Sequence, residues 1–405
     1  MRIIISFIAL FLSVILLQLS SSGIGPLDAL SGLKLNFSNF QIGLLGSSHF
    51  FGFFIGCWWA PRLMGSVGHS RAFAAFTALG AIGIIAHTLT SNPYAWAIMR
   101  IASGLCVAGC YTVIEAWLNG KVTNQTRGRA MGTYRMADMG AAMLAQLLIG
   151  LLEPAYYISY NLLTILCCLA ILPLTVTKIS QPQTPTTPRL RPKLALQRSP
   201  LATFGVVIAG LTASSFRMVG PIYGESIGLR ADQIGYFLAL SVLGGAIAQY
   251  PIGWLADKYD RRRVLISLSL ATIVACTITI VFAKHGTVYI LTSSFLFGFF
   301  TWPIFSISAA HANDFSNSEE RVELAAALIF FYAVGAIASP LFTAQLIQYF
   351  GPSSLFIFFS IGHLALIVFG ISRSRVRPTN EVRTPYVSIP RTSFAIGRLL
   401  RRSRK

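Results

Sequence analysis

Charged side chains are scarce in this chain of 405 residues, and their scarcity excludes an ordinary soluble domain. Asp, Glu, Lys and Arg make up 11% of the sequence, whereas about a quarter of a typical soluble domain is charged. Acidic residues are fewer than basic ones, with 13 Asp and Glu against 32 Lys and Arg and a formal net charge of +19. Hydrophobic residues reach 54%. This composition indicates a membrane protein.

Groupings that carry enzymatic chemistry are also missing. The sequence shows no nucleophile–base set, no phosphate-binding loop and no metal-ligand spacing, so we expect no enzyme, no cofactor and no metal. The loops on one side are too short for the filter of a channel. The cysteines all fall within apolar runs, where we expect small packing residues: Cys57, Cys106, Cys110, Cys167, Cys168 and Cys276.

Twelve apolar runs recur along the chain, each long enough to cross about 30 Å of hydrocarbon. Because backbone groups in lipid need internal partners, each run should be a helix. An alternative for the first run is a cleaved signal peptide, but the run continues through Gly25-Pro26, which favours a helix. The predicted spans are residues 4–27, 40–61, 72–90, 95–118, 130–151, 156–177, 201–223, 233–255, 264–283, 288–311, 323–348 and 353–372.

Basic residues are placed asymmetrically among the loops. Apart from Lys34, Arg230 and Lys284, every Lys and Arg outside the runs lies on the side of the N-terminus. The positive-inside rule makes this side cytoplasmic, so both termini are predicted to be cytoplasmic in a cell inner-membrane protein. The net charge therefore requires no nucleic-acid partner. For the basic tail, residues 373–405, contact with anionic membrane lipid and a solvated tail stay open as alternatives.

The chain divides into two similar halves at residues 178–200, a stretch rich in Pro, Thr and basic residues that cannot cross a membrane. Gly25-Pro26 recurs as Gly220-Pro221, and Gln41-Ile42-Gly43 recurs as Gln233-Ile234-Gly235. Parallel repeats of this kind relate the halves of some transporters. The predicted units are an N-terminal six-helix bundle (1–177), a cytoplasmic linker (178–200), a C-terminal six-helix bundle (201–372) and the basic tail (373–405).

The loop between the eighth and ninth runs reads GWLADKYDRRR from Gly253 to Arg263. Its spacing resembles the signature loop of the major facilitator superfamily, which joins helices 2 and 3 and again helices 8 and 9. Asp260 departs from the family pattern, where a Gly is usual, and the first-half counterpart (61–71) lacks the acidic residue. A generic basic loop is the alternative. The residues to which the resemblance assigns a conformational role are Gly253, Asp257, Lys258, Arg261 and Arg262.

The resemblance implies the major facilitator fold, an all-α membrane protein with twelve transmembrane helices in two six-helix bundles. Arg100, inside the fourth span and three residues before Ser103-Gly104, resembles the superfamily's second motif, whose Arg is linked to proton coupling. A buried guanidinium costs at least about 2.5 kcal/mol at mid-membrane, so we expect a partner for Arg100. Two candidates lie at similar depth in span one, Asp28 and the backbone carbonyls loosened by Gly23, Gly25 and Pro26. An Arg that only pins the helices together is the alternative.

A second polar group is predicted nearer the cytoplasm. Glu115 and Arg135 each lie six residues from the loop between spans four and five, and a rise of 1.5 Å per residue places both about 9 Å deep. Asp138 follows Arg135 by three residues and shares its face, and Tyr134 extends the polar stripe. We predict that this cluster binds substrate or protons, with a structural ion pair as the alternative. Arg217, in span seven, is placed to meet an anionic group of the substrate.

Residues 101–146 also resemble the poorly characterised bacterial YcaD-like branch of the superfamily, and no substrate follows from that resemblance. The Gly-Pro pair of the usual drug–proton antiporters is absent from span five. We therefore expect a monomeric secondary active transporter that moves a small-molecule substrate by alternating access and is coupled to protons. A non-transporting membrane scaffold or sensor is the alternative. The residues that carry the branch resemblance are Gly104, Glu115, Arg127-Gly128-Arg129, Tyr134, Gly140 and Gln146.

Overall fold

The regular secondary structure of the described residues is entirely helical. The first half contains α1 (Arg2–Lys34), α2 (Asn39–Val67), α3 (His69–Ala86), α4 (Pro93–Lys121), α5 (Arg127–Leu148), α6 (Tyr157–Leu169) and α7 (Ile171–Val176). A short helix, α8 (Pro192–Arg198), lies in the predicted linker. The second half contains α9 (Pro200–Ser226), α10 (Ala231–Lys258), α11 (Arg261–Val281), α12 (Thr287–Thr301), α13 (Ile304–Asn313), α14 (Arg321–Phe350) and α15 (Ser354–Val376). The structure, a computed structural model, describes residues 2–122, 127–176, 190–317, 320–376 and 386.

Local sequence explains where several helices begin. Ser38 caps α2, because its hydroxyl accepts from the Gln41 N–H while the Gln41 side chain accepts from the Ser38 N–H, which is a capping box. Asn92 caps α4 through the N–H groups of Tyr94 and Ala95. Asp260 accepts from the Arg262 N–H and caps α11. The residue that departs from the family's loop pattern therefore starts a helix.

Eleven helical segments of the described chain are long and apolar enough to cross a membrane. The fifth predicted span forms helix α5, but Arg135, Asp138 and Gln146 leave it too polar to meet the same criterion. Eleven spans are thus supported by length and composition, and α5 stays a predicted twelfth. Large apolar side chains such as Ile98, Phe342 and Val368 are exposed on outward faces, as a lipid-facing surface requires.

Two of the predicted spans are interrupted. The sixth is divided into α6 and α7, and the tenth is divided into α12 and α13 at Trp302-Pro303. The indole Nε1 of Trp302 donates to the backbone oxygen of Ser241 at 3.0 Å, which ties the interruption to α10.

The two halves approach each other backbone to backbone at the end of the bundle where α2 and α10 begin, which we call the Asn39 end. A Cβ at Gly43 of α2 would lie 2.7 Å from the Pro340 oxygen of α14, and one at Gly235 of α10 would lie 2.6 Å from the Gln146 oxygen of α5. Only Gly permits such approach. These glycines are the ones related by the sequence repeat, so the repeat forms two equivalent contacts. The opposite end, where α10 reaches Asp257, is the Asp257 end.

Candidate functional site

A cavity of about 140 Å³ lies between the two halves. Its wall is formed by α1, α2, α4 and α5 from the first half and by α9, α10, α14 and Trp302 from the second. Apolar and aromatic side chains supply part of the lining, among them Phe50, Phe53, Met139 and Tyr332. The polar side chains of the lining are Gln18, Ser21, His49, Tyr111, Arg135, Asp138, Arg217 and Gln249.

Asp138 and Arg135 form an ion pair in the cavity wall. The Arg135 Nη1 lies 3.0 Å from the Asp138 Oδ2, and the two residues are one turn apart on α5. The other Asp138 oxygen accepts from the Tyr111 hydroxyl of α4. The amide oxygen of Gln18 is 2.6 Å from the same hydroxyl, which has one proton and can donate to one acceptor at a time. The contacts of Asp138, Arg135 and Tyr111, thus both belong to the first half.

Arg217 reaches the cavity from α9, on the opposite side. Within the part of the chain that the structure describes, no carboxylate lies within ion-pair distance of its guanidinium. His49 also lines the cavity, and its Nδ1 is 3.1 Å from the Ser103 hydroxyl. The cavity lining therefore contains two guanidinium groups and a single carboxylate among the described residues, with the unpaired guanidinium on the second half.

Glu115 and Tyr134 lie outside this cavity lining. Both are fully buried, and the Tyr134 hydroxyl is 3.2 Å from the Glu115 Oε1. The predicted cluster of Glu115, Arg135 and Asp138 is therefore divided in two, because Arg135 pairs with Asp138 and Glu115 accepts from Tyr134. The functions assigned to these residues from sequence stay predictions.

Arg100 belongs to a separate buried group within the first half. Its Nε lies 3.4 Å from the Asp28 Oδ2, so the structure brings the expected partner to it. The other Asp28 oxygen accepts from the Tyr160 hydroxyl at 3.1 Å, and His87 stacks on the Tyr160 ring. His87 and Tyr160 were not anticipated from the sequence, because residues of different spans that are far apart in the chain meet only through packing.

His87 lies between a backbone carbonyl and Asp28 in this buried group. Its Nδ1 is 2.7 Å from the Gly83 carbonyl oxygen. Its Nε2 is 3.5 Å from the Asp28 Oδ2. These residues lie away from the cavity lining.

The signature loop forms a charge network at the Asp257 end. The Arg261 side chain is buried and lies 2.8 Å from the Asp314 Oδ1 and 3.2 Å from the Asp257 Oδ1. Arg262 pairs with Asp260 at 3.2 Å. Lys258 lies over the Trp254 ring at 4.9 Å. The loop residues therefore connect α10 to α11 and to the end of α13.

Tyr386, from the basic tail, docks against this end of α10. Its N–H donates to the Asp257 Oδ1 at 2.8 Å, and its hydroxyl donates to the Gln249 Oε1 at 2.9 Å. A Cβ added to Gly253 would lie only 2.6 Å from the Tyr386 ring, so the absence of a side chain at Gly253 makes room for the ring. Burial raises the pKa of Tyr386 to about 12. Nothing in the sequence pattern pointed to this residue, and the tail residues 377–385 and 387–405 lie outside the described residues.

The linker helix α8 is tied to the start of α14 by two ion pairs. The Arg191 Nη1 lies 2.9 Å from the Glu323 Oε2, and the Arg198 Nη2 lies 2.6 Å from the Glu320 Oε1. The hydrogen bond from Arg198 holds the pKa of the Glu320 carboxyl below its usual range. Linker residues 177–189 and the loop residues 123–126 lie outside the described residues.

Two repeat-related helical halves around a charged cavity define the class of protein, a multi-pass membrane transporter. The sequence profile described as Major Facilitator Superfamily matches residues 10–207 and 202–404, and the chain belongs to this family. Its relatives include proteins of the YcaD-like branch. An uncharacterized MFS-type transporter of Enterobacter sp. (strain 638) is 27% identical over 380 residues, covering 93% of this chain and 96% of the relative. The uncharacterized MFS-type transporter YcaD of Escherichia fergusonii is 27% identical over 319 residues, covering 78% and 82%.

Solved transporter structures share the fold. A nucleoside transporter, NupG, superposes with a TM-score of 0.71 at 15% identity, covering 90% of this chain and 98% of that one. A D-xylose-proton symporter superposes with a TM-score of 0.69 at 14% identity, covering 94% and 99%. At these identities the likeness shows the fold alone.

Proposed function

We propose that this chain is a secondary active transporter that moves a small solute across the inner membrane by alternating access, coupled to protons. The observation that carries the proposal is the composition of the cavity wall, which takes Arg135 and Asp138 from one half and Arg217 from the other. A site at the junction of two repeats can be exposed to each side in turn when the halves rock against each other. The units are the bundles 1–177 and 201–372, the linker 178–200 and the tail 373–405, in a monomer surrounded by lipid.

The charge bias of the loops assigns the Asp257 end to the cytoplasm. The Asn39 end is then external, and the close contacts at Gly43 and Gly235 close it. The structure corresponds on this proposal to the state in which the outer end is sealed. Opening the outer end requires these two contacts to separate while the loop network around Asp257 changes its partners.

Asp138 is the proposed proton carrier, because it is the carboxylate among the described residues that lines the cavity. Its contacts, Arg135 and Tyr111, both belong to the first half. Arg135 and Tyr111 therefore move together with Asp138 when the halves rock. The rocking changes the side of the membrane from which water reaches the Asp138 carboxyl. A buried carboxyl changes its proton affinity when its solvation or its charged partner changes. Glu115, held by Tyr134 outside the cavity lining, is the proposed structural carboxylate.

The test uses purified protein in proteoliposomes with an imposed pH gradient and solutes that stabilise the protein in a thermal-shift screen. Asp138→Asn should abolish gradient-driven uptake and spare solute exchange, which moves no net proton. Asp232→Asn, which removes a partly exposed carboxylate at the Asn39 end, is the matched control and should retain both activities. Glu115→Gln should lower the folded yield without uncoupling the protein that folds. Gradient-driven uptake that persists in Asp138→Asn would exclude Asp138 as the carrier.

Topology is tested separately by cysteine labelling in intact cells. A cysteine in place of Lys405 should be inaccessible to an impermeant reagent from outside. Labelling of that cysteine in intact cells would reverse the assignment of the two ends. If solutes stabilise the protein in the thermal-shift screen but none of them crosses the membrane of the proteoliposomes, the scaffold or sensor alternative is favoured.

A further inference from the structure

The charge balance of the cavity points to the class of solute. Among the described lining residues, Arg135 and Arg217 face a single carboxylate, Asp138, so one positive charge is in excess when His49 is neutral. Ionised groups within membrane spans are costly unless they are paired or reach water. Asp138 is already engaged by Arg135 and Tyr111, and Arg217 has no carboxylate partner within the described chain. The missing counter-charge is negative.

The volume of the cavity gives the scale of the solute body that its lining can surround. Its volume is about 140 Å³, and an apolar cavity of about 150 Å³ holds a benzene molecule. Phe50 and Phe53 of α2 and Trp302 and Tyr332 of the second half line the same space. Their rings supply apolar surface for the body of a solute with roughly one ring.

The two observations concern the same cavity lining and fit one kind of molecule. We infer that the cavity binds a small organic monocarboxylate with an apolar body of about one ring. Its carboxylate meets the guanidinium of Arg217, which can donate two parallel hydrogen bonds to a carboxylate. Its body lies against the aromatic side chains. This inference rests on the proposed function and specifies the solute that the same site carries.

Three other solute classes fit the lining less well. A cationic solute would add charge beside Arg217 and would find the cavity's carboxylate already paired. A neutral polyol would leave the Arg217 guanidinium without a counter-charge in a cavity between the halves. A zwitterion would need a free carboxylate for its ammonium group, and Asp138 is already paired with Arg135.

The test measures equilibrium binding to the purified full chain in detergent, with no gradient. Benzoate is the probe, and benzamide and benzylamine are its neutral and cationic counterparts of equal size. Benzoate should raise the midpoint of thermal unfolding and give heat in titration calorimetry, whereas benzamide and benzylamine should bind at least tenfold more weakly. Cyclohexanecarboxylate should bind as benzoate does, because charge and size define the site.

Variants of the guanidinium assign the contact. Arg217→Gln should weaken benzoate binding at least tenfold, and Arg217→Lys, which keeps the charge but not the planar fork, should weaken it less. Arg230→Gln, which removes an exposed guanidinium at the Asn39 end, should leave binding unchanged. A monodisperse elution profile and an unchanged helical spectrum show that each variant is folded.

The outcomes separate this inference from the proposed function. Equal binding of benzamide, unchanged benzoate binding in folded Arg217→Gln, or no binding of either ring carboxylate would overturn the assignment of solute class. Transport of a neutral solute in proteoliposomes would leave the protein a transporter and overturn the inference alone. Binding of benzoate that depends on Arg217 without any flux would support the site and contradict the transport proposal.

Discussion

The repeat-related glycines at the Asn39 end allow a direct test of how the two halves close. Replacing Gly43 with Ala would place a Cβ 2.7 Å from the Pro340 oxygen and 3.1 Å from the Leu341 Cα. Replacing Gly235 with Ala would place one 2.6 Å from the Gln146 oxygen. The nearest obstacles are backbone atoms, which cannot rotate away as side chains can. The halves must therefore separate at this end to admit the methyl group.

The expected size of the effect follows from the cost of overpacking. Forcing a methyl group into a packed contact costs about 1–3 kcal/mol, and the cost falls only on the state in which this end is closed. The gain in helix propensity from Gly to Ala is common to both states and leaves their ratio unchanged. A penalty of about 2 kcal/mol shifts the closed-to-open ratio by about 30-fold. Gly140→Ala on α5 is the matched control, since nothing lies within 4 Å of the added Cβ.

The assay is a distance measurement between spin labels at the Asn39 end. Cysteines in place of Phe40 of α2 and Tyr349 of α14 carry the labels, because both side chains are exposed. The background is Cys168→Ser, because Cys168 is also exposed. Gly43→Ala and Gly235→Ala should each populate longer distances, and Gly140→Ala should not. Distributions for Gly43→Ala that match the unsubstituted background would refute the view that these glycine contacts allow this end to close.

Three further predictions concern the Asp257 end and the linker. Asp257→Asn should slow turnover and leave expression intact, because it weakens the contacts to Arg261 and to the Tyr386 N–H; unchanged turnover would limit the loop to a topological role. Gly253→Ala should lower the unfolding midpoint when Tyr386 is present. In a Tyr386→Ala background the same substitution should be neutral or stabilising, because the ring is no longer close to the added Cβ. Equal effects in the two backgrounds would contradict the docking of Tyr386. Arg198 lowers the pKa of Glu320 in the folded protein. The ionised Glu320 therefore stabilises the fold above the ordinary Glu pKa of about 4.3, and this contribution is lost as pH falls through the lower pKa of the folded state. The difference in unfolding midpoint between the unsubstituted chain and Glu320→Gln should therefore be constant above about pH 5 and shrink in acid.

The sequence was sufficient to predict most of the helices and one buried contact. Apolar runs determine where a chain can cross a membrane, so predicted spans and observed helices largely coincide. The division of the tenth span at Trp302-Pro303 was missed, because the run is apolar on both sides of the break. The partnership of Asp28 with Arg100 was anticipated, because an Arg in a span needs a counter-charge and Asp28 lay at matching depth.

Depth in the membrane and direction around a helix axis are different quantities, and counting residues along a span determines mainly the depth. Glu115 and Arg135 were placed at equal depth by counting residues along two antiparallel helices. Which side chain faces the cavity depends on how each helix is rotated about its axis, and that rotation is set by packing. The structure turns Glu115 toward Tyr134 and Arg135 toward Asp138. Tyr386 lay further beyond such reasoning, because its contacts link positions more than 125 residues apart.

Charge balance in the cavity connects the proposed proton site to the inferred solute. With Asp138 ionised, Arg135 is engaged by it and a single excess positive charge remains. Protonation of Asp138 would leave two guanidinium groups from opposite halves facing one cavity, which is unfavourable at low dielectric unless an anion enters. Because Arg135 belongs to the first half and Arg217 to the second, an anion bound between them would also draw the halves together. If Asp138 carries the proton as proposed, proton and carboxylate should therefore bind cooperatively, and benzoate affinity should fall as pH rises. In Asp138→Asn the affinity for benzoate should stay high at all pH values above the pKa of benzoate. A pH dependence of benzoate binding that survives this substitution would exclude coupling between Asp138 and the bound carboxylate.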